Sequence, residues 1–326
     1  MKAIAMISGG LDSSLAVKII QNNGIEVIGV HFLIPFTRID STTVYNSAAQ
    51  KISQQLDFEF RVETLSDVFL ETFKNPKYGY GKNLNPCIDC KILMLKKAKE
   101  IMLEEKAAFV FTGEVLGQRP MSQHTKALKI IERDSGLEGM LVRPLSANLL
   151  NMTLPQKQGL IKPSLLFSIT GRGRRQQLEL AKKWKITKFP WPGGGCLLTE
   201  SGFCRRLKET ISHHELSLEN IELLKQGRHF RINGLKFVVG RNEKENHALL
   251  SFKKGNDTIF EPKTLSGPAG LLIGELNPET EKVCCQIIAR YTSNDEAVDV
   301  TLTAEGLNKT ISAKPLAENE LSKLIV

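Results

Sequence analysis

The sequence predicts an α/β fold over residues 1–205, a doubly wound parallel sheet covered by helices on both faces, followed by a smaller strand-rich α+β domain over residues 206–326. Three observations lead there. Short apolar runs alternate with stretches of helical spacing through the first half. A Ser-Gly-Gly turn ends the first of those runs, at Ser8, Gly9 and Gly10. Near Phe189 to Gly195 two Pro and three Gly mark a constrained loop, beyond which strand spacing and an Asn-Gly turn take over. With 326 residues, 41% hydrophobic and 24% charged, the chain can bury two cores without disulfide or metal staples, and collagen-like and disordered classes are excluded.

The elements follow in order. Lys2 to Ile7 is a short buried strand; from Ser13 to Asn22, Leu15, Ile19 and Ile20 share one helical face, which stops at Asn23-Gly24. Glu26 to Ile34, rich in Val and Ile, predicts a second buried strand. A helix over Thr43 to Leu56, a strand over Phe58 to Val62, a helix over Ile88 to Glu105 and strands at Phe109 to Thr112 and Met140 to Val142 continue the rhythm. Past residue 205 a short helical segment precedes a hairpin, Arg228 to Ile232 and Leu235 to Arg241 around Asn233-Gly234, and a strand is expected at His247 to Phe252. From Thr292 the polar chain reads either as a loose tail or as a closing hairpin.

The first six apolar positions are too few for the core of a signal peptide, and no run reaches the ~18 apolar residues of a membrane span, so a cytoplasmic protein without membrane contact is expected. Its six cysteines would then be reduced, which makes the C-x-x-C of Cys87 and Cys90 a metal or redox feature before a structural disulfide. Lys and Arg number 44 against 35 Asp and Glu, a net charge of +9 that favours an anionic partner or is simply a basic solvated surface.

The sharpest motif is Ser8-Gly9-Gly10-Leu11-Asp12-Ser13-Ser14, where the first strand meets the first helix. Glycines turn the backbone and expose N–H groups, the helix N-terminus adds partial positive charge, and serine hydroxyls add donors, which together make a phosphate cradle. Neither the Walker nor the dinucleotide pattern occurs. Asp12 would repel a phosphate unless it addresses a Mg²⁺ shared with it.

This heptad resembles the PP-loop of the ATP pyrophosphatase superfamily, whose adenine nucleotide alpha hydrolase-like domains split ATP to AMP and pyrophosphate. The resemblance implies ATP and Mg²⁺ on Ser8, Gly9, Gly10, Asp12, Ser13 and Ser14, and adenylation of a carbonyl oxygen that a nucleophile then displaces.

Asn85-Pro86-Cys87-Ile88-Asp89-Cys90 opens a predicted helix, where a cysteine is expected to have a lowered pKa, and Cys196 follows Gly193, Gly194 and Gly195, which permit close approach to a ligand site. Asn-Pro-Cys-x-x-Cys with a later single Cys resembles the 2-thiouridine and 4-thiouridine synthases of tRNA. That resemblance implies a [4Fe-4S] cluster on Cys87, Cys90 and Cys196, with Asp12, Cys90 and Cys196 as the catalytic set. Zinc, completed by Cys204 or a His, and a metal-free redox pair stay open; Cys204 fits packing, and Cys284 and Cys285 fit buried core thiols.

Thr112-Gly113-Glu114-Val115-Leu116-Gly117-Gln118 resembles the T-G-E-x-x-G-Q signature of 4-thiouridine synthases, which places Gly113, Glu114 and Gln118 against the nucleotide. A plain helix cap is the other reading. His31, near the end of the second strand, either lines the adenine site or belongs to the core.

Gly171-Arg172-Gly173-Arg174-Arg175 with Lys182, Lys183 and Lys185 puts six positive charges in 15 residues, either a groove for a phosphate backbone or a solvated helix. Arg228, Arg231 and Arg241 surround the second-domain hairpin, and Gly240 to Asn246 resembles a module related to the RNA-binding domain of the NFACT proteins. Without the N-terminal tRNA-binding region usual in 4-thiouridine synthases, tRNA binding is expected from the C-terminal half. The expectation is an ATP-dependent tRNA sulfurtransferase with an external sulfur donor, homodimer formation being compatible with it. A small-molecule PP-loop enzyme and a nucleotide-sensing RNA-binding protein are the rivals.

Overall fold

The computed structural model describes residues 1–38, 43–190, 196–292 and 296–326, without the side chains of Tyr45 and Leu307. Residues Met1–Glu200 and Ser201–Val326 form two compact units. The junction expected at residue 205 falls inside a helix that opens the second unit at Ser201. The Gly193 to Gly195 turn lies outside the described residues.

The first unit runs β1 (Lys2–Met6), α1 (Leu11–Gln21), β2 (Glu26–Leu33), α2 (Ala48–Leu56), β3 (Glu59–Thr64), α3 (Ser66–Lys74), α4 (Cys87–Glu104), β4 (Val110–Thr112), α5 (Thr125–Asp134), β5 (Leu141–Val142), α6 (Leu154–Lys157) and α7 (Arg175–Lys183). Its five strands are all parallel, in the order β3-β2-β1-β4-β5. Parallel strands need crossovers, and the predicted alternation of strand and helix supplies them. Ala3, Ala5 and Ile7 point from β1 and its end into a core shared with α1, α2 and α7, and α4 packs against β1 and β4 with α3 and α5 beside it.

The strand order reverses between β1 and β4. In an open α/β sheet, the crevice at the carboxyl ends of the strands at that switch point is where a ligand is received. Here the crevice lies between the loop after β1, residues 8–14, and the loop after β4, residues 113–118.

The second unit runs α8 (Ser201–Ser212), α9 (Leu218–Leu224), β6 (Arg228–Ile232), β7 (Leu235–Val239), α10 (Glu243–Phe252), β8 (Thr258–Pro262), β9 (Gly270–Ile273), α11 (Pro278–Arg290), β10 (Val298–Ala304), β11 (Leu307–Ala313) and α12 (Glu318–Leu324). Its antiparallel sheet has the order β11-β10-β8-β9-β7-β6. α11 buries Cys284, Cys285, Ile287 and Ile288 against one face, as expected for the two thiols, while Leu249 of α10 and Leu223 of α9 meet Ile259 and Leu271 on the other.

The β6–β7 hairpin forms as predicted, with positive φ at both Asn233 (48°) and Gly234 (82°), the requirement of a type I′ turn. The strand expected at His247 to Phe252 is instead α10. Asn242 caps that helix by accepting from the Glu245 backbone N–H, and acidic residues in the first turn favour the helix over the alternation of its apolar residues. The chain from Thr292 closes as the β10–β11 hairpin, with Val298, Val300 and Leu302 buried at every second position. No helix among the described residues is long and apolar enough to cross a membrane.

Because each unit has its own apolar core, residues 201–326 expressed alone should unfold cooperatively in urea with native-like far-UV circular dichroism; a non-cooperative transition would show that the second unit depends on the first.

Candidate active site

The loop after β1 is shaped by its neighbours. Gly9 has φ 77°, and a Cβ there would lie 2.6 Å from the Ala49 amide nitrogen, so the loop closes directly onto the start of α2. Ser13 and Ser14 donate their hydroxyls to the Gly10 carbonyl (2.8 and 3.0 Å), and the Gly10 N–H donates to Ser8 Oγ (3.3 Å). All three serines thus brace the loop, and the donors offered to an anion are the first-turn N–H groups of α1, which lack intrahelical acceptors.

Asp12 is held in the crevice by Gln118, whose Nε2 donates to Oδ2 (3.0 Å), while Oδ1 is buried without a hydrogen-bond partner among the described residues. An orphaned buried carboxylate oxygen beside a phosphate cradle fits Mg²⁺. Gly113 touches the loop itself: a Cβ there would lie 2.4 Å from the Asp12 carbonyl carbon and the Ser13 nitrogen. The signature after β4 therefore lies against the loop, through Gly113 and Gln118.

Glu114 turns the other way. It is buried, paired with Lys91 of α4 and with Arg143 Nε (3.0 Å) just past β5, and it accepts the Thr112 hydroxyl (3.2 Å). Burial pushes its pKa up, but Lys91 and Arg143 outweigh that and hold it at about 2. Both of its oxygens are thus occupied by protein partners, and Glu114 braces the loop after β4 against α4 and the end of β5. Lys91 and Arg143 escaped the sequence reading; Arg143 sits at a strand end on the ligand edge, which is the position to inspect first in such a sheet.

His31 is buried near the end of β2. Its Nδ1 donates to the Ile7 carbonyl (2.7 Å), which fixes the tautomer and leaves Nε2 a buried acceptor without a partner among the described residues. Burial lowers its pKa, so the ring is neutral at pH 7. Gln123, also missed from sequence, is buried with its side-chain oxygen unpartnered, while its backbone carbonyl accepts from Gly117.

Cys87 and Cys90 occupy the first turn of α4, both half-buried. Asn85 donates to Cys87 Sγ (3.2 Å). Cys196 pairs with Thr37 in an isolated antiparallel bridge beyond β2, and the Leu197 N–H donates to the Phe36 carbonyl. Asn83, just before the C-x-x-C, donates to the Thr199 carbonyl (2.9 Å) and ties the two segments together.

The structure corrects the expected thiolate: burial, with Cys196 and Cys87 nearby, pushes the Cys90 thiol up, not down. The three predicted cysteines are therefore electrostatic neighbours, and three thiols fit a soft metal or cluster in donor chemistry. Among the described residues no group of three or more His, Cys, Asp or Glu is arranged to hold a metal ion, and none of the six cysteines forms a disulfide.

The predicted RNA-contact arginines divide by unit. Arg172 and Arg175 are exposed and Arg174 half-buried, with its Nε unpartnered among the described residues; their loop is fixed by the Gly171 N–H donating to the Leu116 carbonyl (2.8 Å). In the second unit Arg231 is paired with Glu209 and Glu215, Arg241 with Glu245, and Arg228 lies over the Tyr291 ring, 4.4 Å from its centroid, and donates to the Gly240 carbonyl.

The five-stranded parallel sheet carries the loop of residues 8–14, with the buried Oδ1 of Asp12, at its switch point, the arrangement expected from the resemblance to PP-loop nucleotide domains. Residues 1–148 match the family described as thiamine biosynthesis protein (ThiI), and residues 227–325 match the NFACT protein RNA binding domain. Over these two stretches the chain is thus similar to the ThiI family and to the NFACT RNA binding domain.

Similar proteins include two named tRNA-specific 2-thiouridylase MnmA. The one from Helicobacter hepaticus is 31% identical over 110 residues, covering 31% of each chain, and the one from Listeria monocytogenes serotype 4b (strain CLIP80459) is 22% identical over 347 aligned residues, covering 97% of this chain and 88% of that one. A probable tRNA sulfurtransferase of Methanothermobacter thermautotrophicus is 30% identical over 120 residues, 36% of this chain and 30% of that one. The chain thus spans under a third of the H. hepaticus and M. thermautotrophicus proteins.

Two outcomes follow from the geometry. Gly113→Ala should lower ATP affinity at least tenfold and stability by about 1–3 kcal/mol, because its Cβ meets backbone that cannot yield; calorimetric ATP titration and urea unfolding read both. Glu114→Gln should cost about 3 kcal/mol at pH 7 by leaving Lys91 without its carboxylate and Arg143 with Glu132 alone. Since the folded pKa lies below the unfolded ~4.3, the wild-type contribution is complete above about pH 5 and is lost as pH falls toward 2. Urea unfolding between these limits should therefore show a flatter pH dependence in the variant.

Proposed function

We propose that the protein is an ATP-dependent tRNA sulfurtransferase that replaces a uridine carbonyl oxygen by sulfur, at C4 or C2. The observation that carries this reading is that the phosphate loop, with its orphaned Asp12 oxygen, and Cys90, with Cys87 and Cys196 near enough to act on its thiol, belong to the same unit, around one parallel sheet. The names of the similar proteins and the ThiI and NFACT matches support it.

In the first step the uridine oxygen attacks the α-phosphorus of ATP, the bond to the β-phosphate oxygen breaks, and pyrophosphate leaves. In the second, sulfide adds at the activated carbon and AMP departs with the oxygen. The first-turn N–H groups of α1 with Ser8, Gly9 and Gly10 hold the phosphates, and pre-aimed dipoles there stabilise charge developing on them. Gln118 orients Asp12, whose Oδ1 would take a Mg²⁺ that neutralises phosphate charge. His31 Nε2, a fixed acceptor, suits the adenine amino group. Cys87, Cys90 and Cys196 would hold a [4Fe-4S] cluster, whose chemistry when bound is to present sulfide, with zinc as the alternative occupant. Arg172, Arg174 and Arg175 would meet tRNA phosphates. A cytoplasmic setting and an external sulfur donor belong to the same reading.

Mass spectrometry of nucleosides in total tRNA from a deletion strain tests it. One thionucleoside should vanish and return with the wild-type gene but not with Cys90→Ala; an unchanged profile would turn the reading toward a small-molecule PP-loop enzyme. Asp12→Asn should slow tRNA-dependent pyrophosphate release by about 10²–10³-fold, measured by coupled phosphate assay. Cys196→Ala should lose the iron and acid-labile sulfide of anaerobically purified protein, and stoichiometric zinc in colourless wild type would sink the cluster.

A further inference from the structure

We infer that the backbone of the RNA is gripped by a basic strip on the first unit, running along α7 to Lys188, and that the second unit contributes no net electrostatic attraction. This rests on the tRNA reading above and assigns the surface that serves it. Of the 44 Lys and Arg, 17 lie in residues 201–326, where 17 Asp and Glu balance them, so the whole +9 falls on the first unit. Residues 144–199 alone carry nine Lys or Arg against one acidic residue, Glu179.

The strip is presented outward. α7 buries Gln177 and Ala181, and packs on α1, which turns Arg175, Lys182 and Lys183 to solvent; Arg172, Lys185 and Lys188 are exposed as well. Among the described residues the one ion pair on this strip is Arg175 with Glu179, an exposed pair one turn apart that water screens. The prominent cations of the second unit are engaged by its own groups: Arg231 and Lys236 share Glu215, Arg241 holds Glu245, and Arg228 lies over Tyr291.

Both ends of the strip are tied to the nucleotide crevice. At one end Gly171 donates to Leu116, two residues before the Gln118 that holds Asp12. At the other, Gln55 of α2 donates to the Lys185 carbonyl (2.6 Å) and accepts from the Thr187 and Lys188 N–H groups (3.3 and 3.2 Å), and α2 begins with the residues that close over Gly9. A polyanion lying along α7, which is about 14 Å long, is thereby registered against the site at two points. Phosphate contacts of this kind position the substrate without reading its sequence.

The test is tRNA binding to the full chain by fluorescence anisotropy between 50 and 200 mM salt, comparing Lys182→Glu/Lys183→Glu/Lys188→Glu with Lys244→Glu/Lys263→Glu/Lys282→Glu, three exposed lysines of the second unit. The first triple should lose at least tenfold in affinity and reduce the log–log salt slope by roughly two to three, about 0.9 for each phosphate contact. The second should stay within about twofold of wild type. The three strip lysines changed to Gln, with thermal unfolding as a check on fold, should give an intermediate slope. A tenfold loss confined to the second-unit triple, with wild type binding tRNA, overturns this inference and leaves the sulfurtransferase reading intact. Wild type that binds no tRNA, or that binds phosphatidylserine vesicles through the same lysines instead, overturns both.

Discussion

The buried carboxylate of Glu114 is the interaction on which the site's geometry depends. Desolvation opposes its charge, and only the two cations that close on it, Lys91 from α4 and Arg143 from past β5, keep it ionised. Arg143 then spends the rest of its fork on Glu132 of α5 (3.0 Å) and on the Leu128 carbonyl. One charge cluster therefore locks the helix carrying Cys87 and Cys90 to the loop after β4 and to α5. Removing one member leaves the others charged in a poorly solvated place, so the cluster exists as a whole or not at all. Neighbouring residues of the same loop address other walls: Gly113 presses on the phosphate loop, Leu116 accepts from Gly171, and Gln118 restrains Asp12. A shift of this loop would displace the phosphate cradle, the cysteine helix and the start of the basic strip together.

Protonation divides the crevice in two. On the nucleotide side His31 is neutral with a fixed tautomer, and Asp12 offers one unmatched oxygen, so that side is shaped for a cation between carboxylate and phosphates. On the cysteine side burial and neighbouring sulfurs favour the protonated Cys90 thiol. A soft ion held there, as proposed, would displace a proton, and its ligation would have to exceed the cost of ionising that thiol. The Asn85 amide, donating to Cys87 Sγ, partly offsets that cost by placing a dipole against the sulfur. On the proposed reading the donor chemistry of the two sides differs, carboxylate oxygen on one and thiols on the other, which suits a hard cation and a soft one respectively.

Most of the parallel sheet and its ligand edge were legible in the residues. Strands marked by Val and Ile runs and helices with apolar faces lie within a few residues of where those patterns put them, and Gly113 and Gln118, singled out by their motif, lie against the loop after β1. What escaped depends on long-range partners. That Glu114 is paired with Arg143, 29 residues later, is not visible in its motif. The pKa of Cys90 followed from helix position alone, whereas the fold adds burial and two more sulfurs. α10 was misread because three apolar residues near its end resemble a strand, and its cap at Asn242 lies upstream of them. The second-domain arginines illustrate the same limit: a basic residue shows its charge in sequence but not the carboxylate that consumes it.

The charge asymmetry between the units has a physical reason that local motifs could not display. Attraction of a polyanion reaches only about a Debye length, ~8–10 Å at physiological salt, so charge orients a particular nucleotide only when it sits close to the atoms that react. Lysines strung along α7 and anchored at Leu116 and Gln55 meet that condition, because the elements that hold them also hold the loop around Asp12. A second basic surface elsewhere would compete for the same backbone and stabilise unproductive orientations as readily as the productive one. An electrically balanced second unit avoids that competition: with Arg231 held by Glu209 and Glu215 and Arg241 by Glu245, it would contribute shape and hydrogen bonds while, on the inference above, steering stays with the first unit.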